Sequence, residues 1–384
     1  MSSELTSTTA ANVPLLADTD RSNVKAASNS GTLEVHFIPR WPQNPYQSEL
    51  ARHLADNGVV VAAESSLKRI LAATRRDRRT PAIVHLHALP PFSWHPVRLL
   101  RLVAFALRLF QLRRAGTRIV WTVHNACDHE SAHPRIDRLL SRFAYRAVDA
   151  AILHSPGARR LAEQQWNVRR THDIFIIHHG HFIDCYPPAG DRHIARARLG
   201  LPAHAMVFLF LGNIRPYKGV PQLVRSFKSV AAPHMRLVVA GDVLSPELKA
   251  DIEREIDGSP LIDFRPGFVP DRQVGDYLGA CDVVVFPYTK ALTSGALILA
   301  MSYGRACIAP AMGALADTLT SRGGFLYDPS SPSALRDSLV AAISSAGRLD
   351  AMGEHNRRCA RQWGWDLAAR QTASVYREIS NPLT

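Results

Sequence analysis

The stretch Gly212-Asn213-Ile214-Arg215-Pro216-Tyr217-Lys218-Gly219 directly follows an apolar run over 207–211. Such a run reads as a buried strand, and Gly212 lets the backbone leave its end without a side chain in the way. Arg215 offers a two-pronged donor for phosphate oxygens and Lys218 a point charge. Gly219 opens the helix expected over 220–230, whose free amides carry partial positive charge. Residues of these types at this spacing can hold a diphosphate. A second stretch, Pro287-Tyr288-Thr289-Lys290-Ala291-Leu292-Thr293-Ser294-Gly295-Ala296-Leu297, follows the apolar run over 283–286. Thr293 or Ser294 reads as a helix N-cap and Gly295 permits close backbone approach, so this helix start also suits a diphosphate. In a third stretch, Trp121 to Glu130, His124 ends an apolar run, and Asp128 and Glu130 lie just beyond it. A histidine with two carboxylates at a strand end can bind a sugar or move a proton.

Thirteen of the 17 histidines precede residue 185. His85-x-His87 and His178-His179-Gly180-His181 look like metal ligands, but no carboxylate or cysteine pattern accompanies them, so no metal is expected. Gly180 and His181 are instead expected to line a cleft. The five cysteines are scattered with no C-x-x-C pair, which points to neither a disulfide framework nor a zinc site and favours a reducing compartment.

The elements that must position these residues alternate strand and helix, twice over. Apolar runs at 33–38, 59–63, 83–87, 118–123, 150–154 and 174–178 are strand candidates, with helical patterns at 48–57 and 97–114. After the Pro-rich stretch Tyr186-Pro187-Pro188-Ala189-Gly190 the pattern restarts: strands at 206–211, 236–240, 262–264, 283–287 and 306–309, helices at 220–230, 246–255, 295–303 and 333–345. The expected fold is therefore α/β, with two Rossmann-like domains facing across a cleft and ligands at the strands' carboxyl ends. The expected divisions are a disordered tail over 1–30, an N-terminal domain over 31–185 and a C-terminal domain over 186–364, with 365–384 crossing back onto the first domain.

The net charge of +13 is uneven: +9 over residues 1–184 and +4 over the rest. An anionic partner for the first half follows. The segment 97–114 is apolar on both sides. Helical spacing puts Arg98, Arg101, Arg108 and Arg113 outward, with Leu102, Phe105, Leu109 and Leu112 among them, as in a helix lying on an anionic membrane surface. No run of 18 uncharged apolar residues occurs, so no membrane-spanning helix is expected. The Arg75–Arg79 run has no accompanying nucleic-acid motif, so no nucleic acid is expected as partner. No G-x-G-x-x-G follows any strand, which argues against a dehydrogenase.

Taken together, these stretches resemble the GT-B glycosyltransferases of group 1, from about Leu33 to Tyr376. The resemblance implies a nucleotide-sugar donor, no cofactor, and donor contacts at Gly212, Arg215, Lys218, Gly219, Asp242, Phe268, Tyr288, Thr293, Ser294 and Gly295. It places the base near Gly267-Phe268-Val269-Pro270 and 277–287, a turn at Gly323–Pro329, and the returning helix after Trp363. It implies acceptor contacts at Asn44, Tyr46, Asn125 and His181, and catalytic roles for His124, Asp128 or Glu130. Two glutamates usual in the retaining members are replaced by Ala291 and Leu299. With Thr293-Ser294-Gly295 and Thr122-Val123-His124-Asn125, that variant is similar to the inverting GDP-mannose-dependent β-mannosyltransferases of xanthan-type exopolysaccharide assembly. The implied acceptor is a lipid-linked saccharide, and the implied location is the cytoplasmic face of the plasma membrane, peripherally bound. A nucleotide-sugar epimerase on the same fold, or a non-catalytic sugar-binding homologue, are the alternatives.

Overall fold

The computed structural model describes residues 32–77, 83–125, 133–169 and 173–380. The expected tail, Asp128, Glu130 and part of the Arg75–Arg79 run lie outside them. Among the described residues, twelve strands form two parallel sheets of six. In the first lobe these are β1 (Leu33–Ile38), β2 (Val59–Val61), β3 (Ile83–Leu86), β4 (Arg118–Thr122), β5 (Ala150–Leu153) and β6 (Ile174–Ile176), ordered β2-β1-β3-β4-β5-β6. In the second they are β7 (Met206–Leu211), β8 (Met235–Gly241), β9 (Ile262–Pro266), β10 (Val283–Val285), β11 (Ala306–Pro310) and β12 (Gly324–Tyr327), ordered β12-β11-β10-β7-β8-β9. β12 occupies the stretch expected as a turn.

Both sheets are buried on two faces, which is why their strands read as unbroken apolar runs. The chain reverses its direction of winding between β1 and β3 in the first sheet and between β7 and β10 in the second. Each reversal opens a crevice at the strands' carboxyl ends, the place where such sheets bind ligands. The loops after β7 and β10, which carry the first two motifs, therefore flank one crevice.

A helix, Trp365–Ser380, packs on the first sheet together with helix Pro45–Ala55, and its Ala369, Ala373 and Tyr376 belong to that lobe's core. The crossing is strapped at its start. His181 N donates to Trp363 O at 2.9 Å, and Trp365 Nε1 donates to His181 O at 2.7 Å. A Cβ at Gly180 would stand 2.2 Å from the Trp365 ring, so only glycine lets the indole lie there. The opposite face of the first sheet is covered by helices Leu67–Asp77, Pro96–Arg114, Pro134–Ala147 and Pro156–Trp166. On the cleft side, Leu292 and Ala314 of the second lobe are buried in the first lobe's core, so the lobes are in direct contact.

Helix Pro96–Arg114 corrects one expectation. Leu112 is fully buried, and Phe105 and Leu109 pack on the core beside it, with Leu102 partly covered; these are inward residues. The outward apolar stripe is Val97, Leu100, Val103, Leu107 and Phe110, 47–68 % exposed. A helix apolar on both sides has two stripes, and sequence spacing alone does not say which one the sheet takes.

Candidate functional site

In the second lobe the site is built by backbone. β7 is followed by Gly212 with φ +132°, and the chain passes through Pro216–Lys218 to Gly219 at φ +66°. A Cβ on Gly219 would lie 2.0 Å from Pro287 O, so the loops after β7 and β10 touch at this glycine. They are also stitched by Thr289, whose amide and hydroxyl both donate to Tyr217 O, at 2.8 and 3.0 Å. Lys218 Nζ lies 5.7 Å from the centre of the Tyr288 ring, over the space a Gly212 side chain would approach. Ser294 caps helix Gly295–Ser302: its Oγ accepts from Leu297 N at 3.1 Å. Burial pushes the Tyr288 hydroxyl up, partly offset by its bond to Ser294. Tyr217, Lys218, Tyr288, Ala291 and the Thr293–Ala296 segment wall an open hollow of about 440 Å³. Among the described residues, the one it takes from the first lobe is Asn125.

Arg215 is placed differently from Lys218. Its guanidinium donates to Ile214 O and Asp242 O and stands 3.8 Å from the Asp242 carboxylate. Arg215 and Asp242 thus brace the β7 and β8 ends, and neither walls the hollow. Phe268 follows Gly267 at φ +136° and is 76 % exposed, outside the hollow as well. Ala291 occupies the wall where the resemblance puts a glutamate, and Leu299 packs on the core.

In the first lobe the site is built by packed rings. His85 and His87 from β3 and its end, His124 after β4, His154 after β5 and His179 after β6 converge around Tyr46, from helix Pro45–Ala55. Tyr46 has ring centres of His87, His124, His154 and His179 at 4.8–5.9 Å and of Trp365 at 5.4 Å. Sequence reading placed His124 and His181 at the cleft, treated His87 and His179 only as apparent metal ligands to be set aside, and did not single out His154; the three come from separate strand ends. Burial, reinforced by the neighbouring imidazoles, holds His85 down to about 3, and burial holds His87 and His124 well below the ordinary histidine value. Burial also lowers His154 to about 4 and His179 to about 3. The rings are neutral at pH 7, so each can donate one hydrogen bond and accept another.

A second hollow of about 620 Å³ opens among His87, Ala88, Leu89, Trp121, His124, Asn125 and Ser141. Asn125 walls both hollows. Thr293 Oγ1 donates to His124 O at 3.0 Å, tying the lobes together beside it. Asn44 is elsewhere: its side chain caps helix Pro45–Ala55 by accepting from Tyr46 N at 2.9 Å. Tyr46 is 8 % exposed and ringed by imidazoles and Trp365, a packing centre more than a ligand contact. His181 sits at the strap. Among the described residues no group of three or more His, Cys, Asp or Glu side chains is arranged to hold a metal ion.

Two parallel Rossmann-like sheets meeting at such a cleft define the GT-B fold, and residues 205–345 match the family "Glycosyl transferases group 1". The chain is a GT-B glycosyltransferase carrying a group 1 domain. It is 27% identical over 321 residues to GDP-mannose:glycolipid 4-beta-D-mannosyltransferase of Xanthomonas campestris pv. campestris, covering 81% of this chain and 83% of that one. D-inositol 3-phosphate glycosyltransferase of Streptomyces avermitilis is 31% identical over 53% of this chain and 46% of its own length. Among solved structures, sucrose-phosphate synthase of Thermosynechococcus elongatus superposes with a TM-score of 0.72 at 18% identity, covering 90% of this chain and 98% of that one. HepE of Anabaena, in complex with UDP and glucose, gives 0.68 at 17%, with 89% and 98% covered.

Proposed function

We propose that the enzyme moves mannose from GDP-mannose to a lipid-linked saccharide during exopolysaccharide synthesis, working at an anionic membrane surface. The observation that carries the reading is the meeting of two hollows at Asn125. One is cationic and lies at a helix N-terminus; the other is lined by neutral hydrogen-bonding rings. The first suits a sugar nucleotide's diphosphate, with Lys218 and the Ser294–Gly295 helix start stabilising the charge that grows on it as the glycosidic bond breaks. The second suits an acceptor sugar, with its attacking hydroxyl beside Asn125 and His124. The name of the Xanthomonas relative supports mannose and a glycolipid.

A lipid carrier fits the surface next to the second hollow. Ser141 in its wall belongs to helix Pro134–Ala147, which exposes Leu139 and Phe143 and carries Arg135, Arg138, Arg142 and Arg146. Helix Pro96–Arg114 on the same sheet face adds its outward stripe and Arg98, Arg101, Arg108 and Arg114, with no acidic residue, while Arg113 is engaged by Ala147 O and Asp149. Apolar side chains interleaved with arginines match a headgroup boundary, and each arginine near an anionic leaflet adds about 1 kcal/mol. No helix among the described residues is long and apolar enough to cross a membrane.

The test is transfer of labelled sugar into an extracted glycolipid fraction, with GDP-mannose, UDP-glucose and UDP-galactose offered separately. Label from GDP-mannose alone is expected; transfer from a UDP-sugar with GDP-mannose inert sinks the donor assignment. Flotation with phosphatidylglycerol vesicles is expected for the wild type and lost in Leu100→Glu/Leu107→Glu. Flotation retained by that variant would remove the stripe from the membrane.

A further inference from the structure

His87 is 2 % exposed, and neither of its ring nitrogens has a hydrogen-bond partner. Leaving both polar atoms of a buried imidazole unsatisfied is costly, so the position needs a reason. Packing sets the ring's direction. It stacks on His85 at 4.3 Å and 28°, and meets Phe37 edge-on at 4.5 Å. His85 is itself fixed at both nitrogens, to Tyr376 Oη at 2.5 Å and Thr122 Oγ1 at 2.7 Å. His87 is thus a rigid ring whose one donor and one acceptor are unused, in the wall of the 620 Å³ hollow.

The chemistry of that wall selects the ligand. His87, Ala88, Leu89, Trp121, His124, Asn125 and Ser141 include no lysine, arginine or carboxylate. Burial keeps the two imidazoles neutral. A phosphate or a uronate carboxylate entering here would lose its hydration and find no countercharge among the described residues of the wall. A sugar hydroxyl both donates and accepts, which is what a neutral imidazole and an amide require.

We propose that His87 is an acceptor-specificity residue: it hydrogen-bonds the hydroxyls of an uncharged sugar ring in this hollow and so admits neutral acceptor units over uronic acids. The proposal rests on the acceptor reading above and adds to it a residue and a charge selection. Because His87 meets its ligand only in the complex, His87→Phe removes two unsatisfied atoms from the free protein while keeping a flat ring of similar size. Its melting temperature is expected to equal or exceed the wild type's.

The test is saturation-transfer NMR with methyl mannoside, methyl glucoside and glucuronate, alongside GDP binding and acceptor kinetics. The wild type is expected to show saturation transfer to a neutral glycoside and at least tenfold less to glucuronate. His87→Phe is expected to lose the glycoside signal, bind GDP unchanged, and raise acceptor KM at least tenfold. His87→Asn, which restores a donor and an acceptor, is expected to recover part of both. Equal glycoside signals from wild type and His87→Phe, no signal from the wild type, or a preference for glucuronate each overturn the proposal. Glycoside binding that depends on His87 in a protein that transfers no sugar would sink the transferase details and leave this assignment standing.

Discussion

The two lobes present hollows of similar size built by opposite means. The C-terminal hollow is shaped by chain geometry: glycines at positive φ at the β7 end, a strand-loop contact at Pro287, and a capped helix. Its one charged wall residue among those described is Lys218. The N-terminal hollow is shaped by side chains, five buried imidazoles and a tyrosine held by mutual packing, with no cation among the described residues of its wall. Under the proposed function, the difference follows from the ligand each would take. A diphosphate is recognised by amides and charge, which need a fixed backbone. A neutral sugar is recognised by directed donors and acceptors, which need fixed rings.

Acid should break the two lobes unequally. His85 and His179 are held to about 3 and His154 to about 4, against 6.5 for the free side chain. Below pH 6.5 the unfolded chain takes up protons that these folded rings refuse, so stability falls as pH falls, until the folded rings titrate near 4 and 3. Above pH 6.5 the contribution is flat. Each ring gives a slope of about 1 kcal/mol per pH unit. Three together remove several kcal/mol by pH 5, a large share of ordinary stability. No tryptophan lies between Trp166 and Trp363, so tryptophan fluorescence reports the N-terminal lobe and its strap. Denaturant midpoints followed that way should drop steeply from pH 7 to 5; flat midpoints would mean that the rings are open to water.

Gly219→Ala should break the backbone-built side. The added Cβ meets Pro287 O at 2.0 Å, and φ is +66°. Left-handed strain and the overlap together cost about 2–5 kcal/mol. Gly200 has nearly the same φ, +65°, with nothing within 4 Å of its Cβ, so Gly200→Ala should cost only about 1–2 kcal/mol. Equal losses from the two substitutions would show that the Pro287 contact does not hold the loops. A third expectation separates the two cations. Lys218→Ala should lower kcat/KM at least tenfold, about 1.4 kcal/mol, and Arg215→Ala by less, because Arg215 is engaged by Asp242. The reverse order would place the diphosphate nearer β8.

This contrast also explains what could be read in advance. The C-terminal loops announce themselves because a glycine after an apolar run has a local cause, and Lys218, Ser294 and Gly295 fall where local rules put them. The N-terminal ring cluster has no linear signature. His87, His124, His154 and His179 come from the ends of four strands that only the sheet order brings side by side. Asn44 obeys a local rule other than ligand binding, since an Asn before Pro45 is an N-cap. The outward stripe of helix Pro96–Arg114 escaped because two apolar faces are symmetric until the sheet chooses one.

The smallest expected effect lies where the two constructions join. Thr293 belongs to the loop that caps the C-terminal helix, yet its hydroxyl donates across the cleft to His124 O. A net hydrogen bond of this kind is worth about 1 kcal/mol. Thr293→Val keeps the shape and removes the donor, so it should cost the lobes their register without disturbing either hollow alone. Donor binding should stay within twofold, while kcat/KM for acceptor falls about fivefold, the value of 1 kcal/mol. Thr293→Ser keeps the donor and should remain near wild type. A loss in Thr293→Ser with Thr293→Val near wild type would assign the effect to packing of the γ-methyl. No loss in either would mean that the bridge between a lobe made of backbone and a lobe made of rings is carried by Leu292 and Ala314, which the first core already buries.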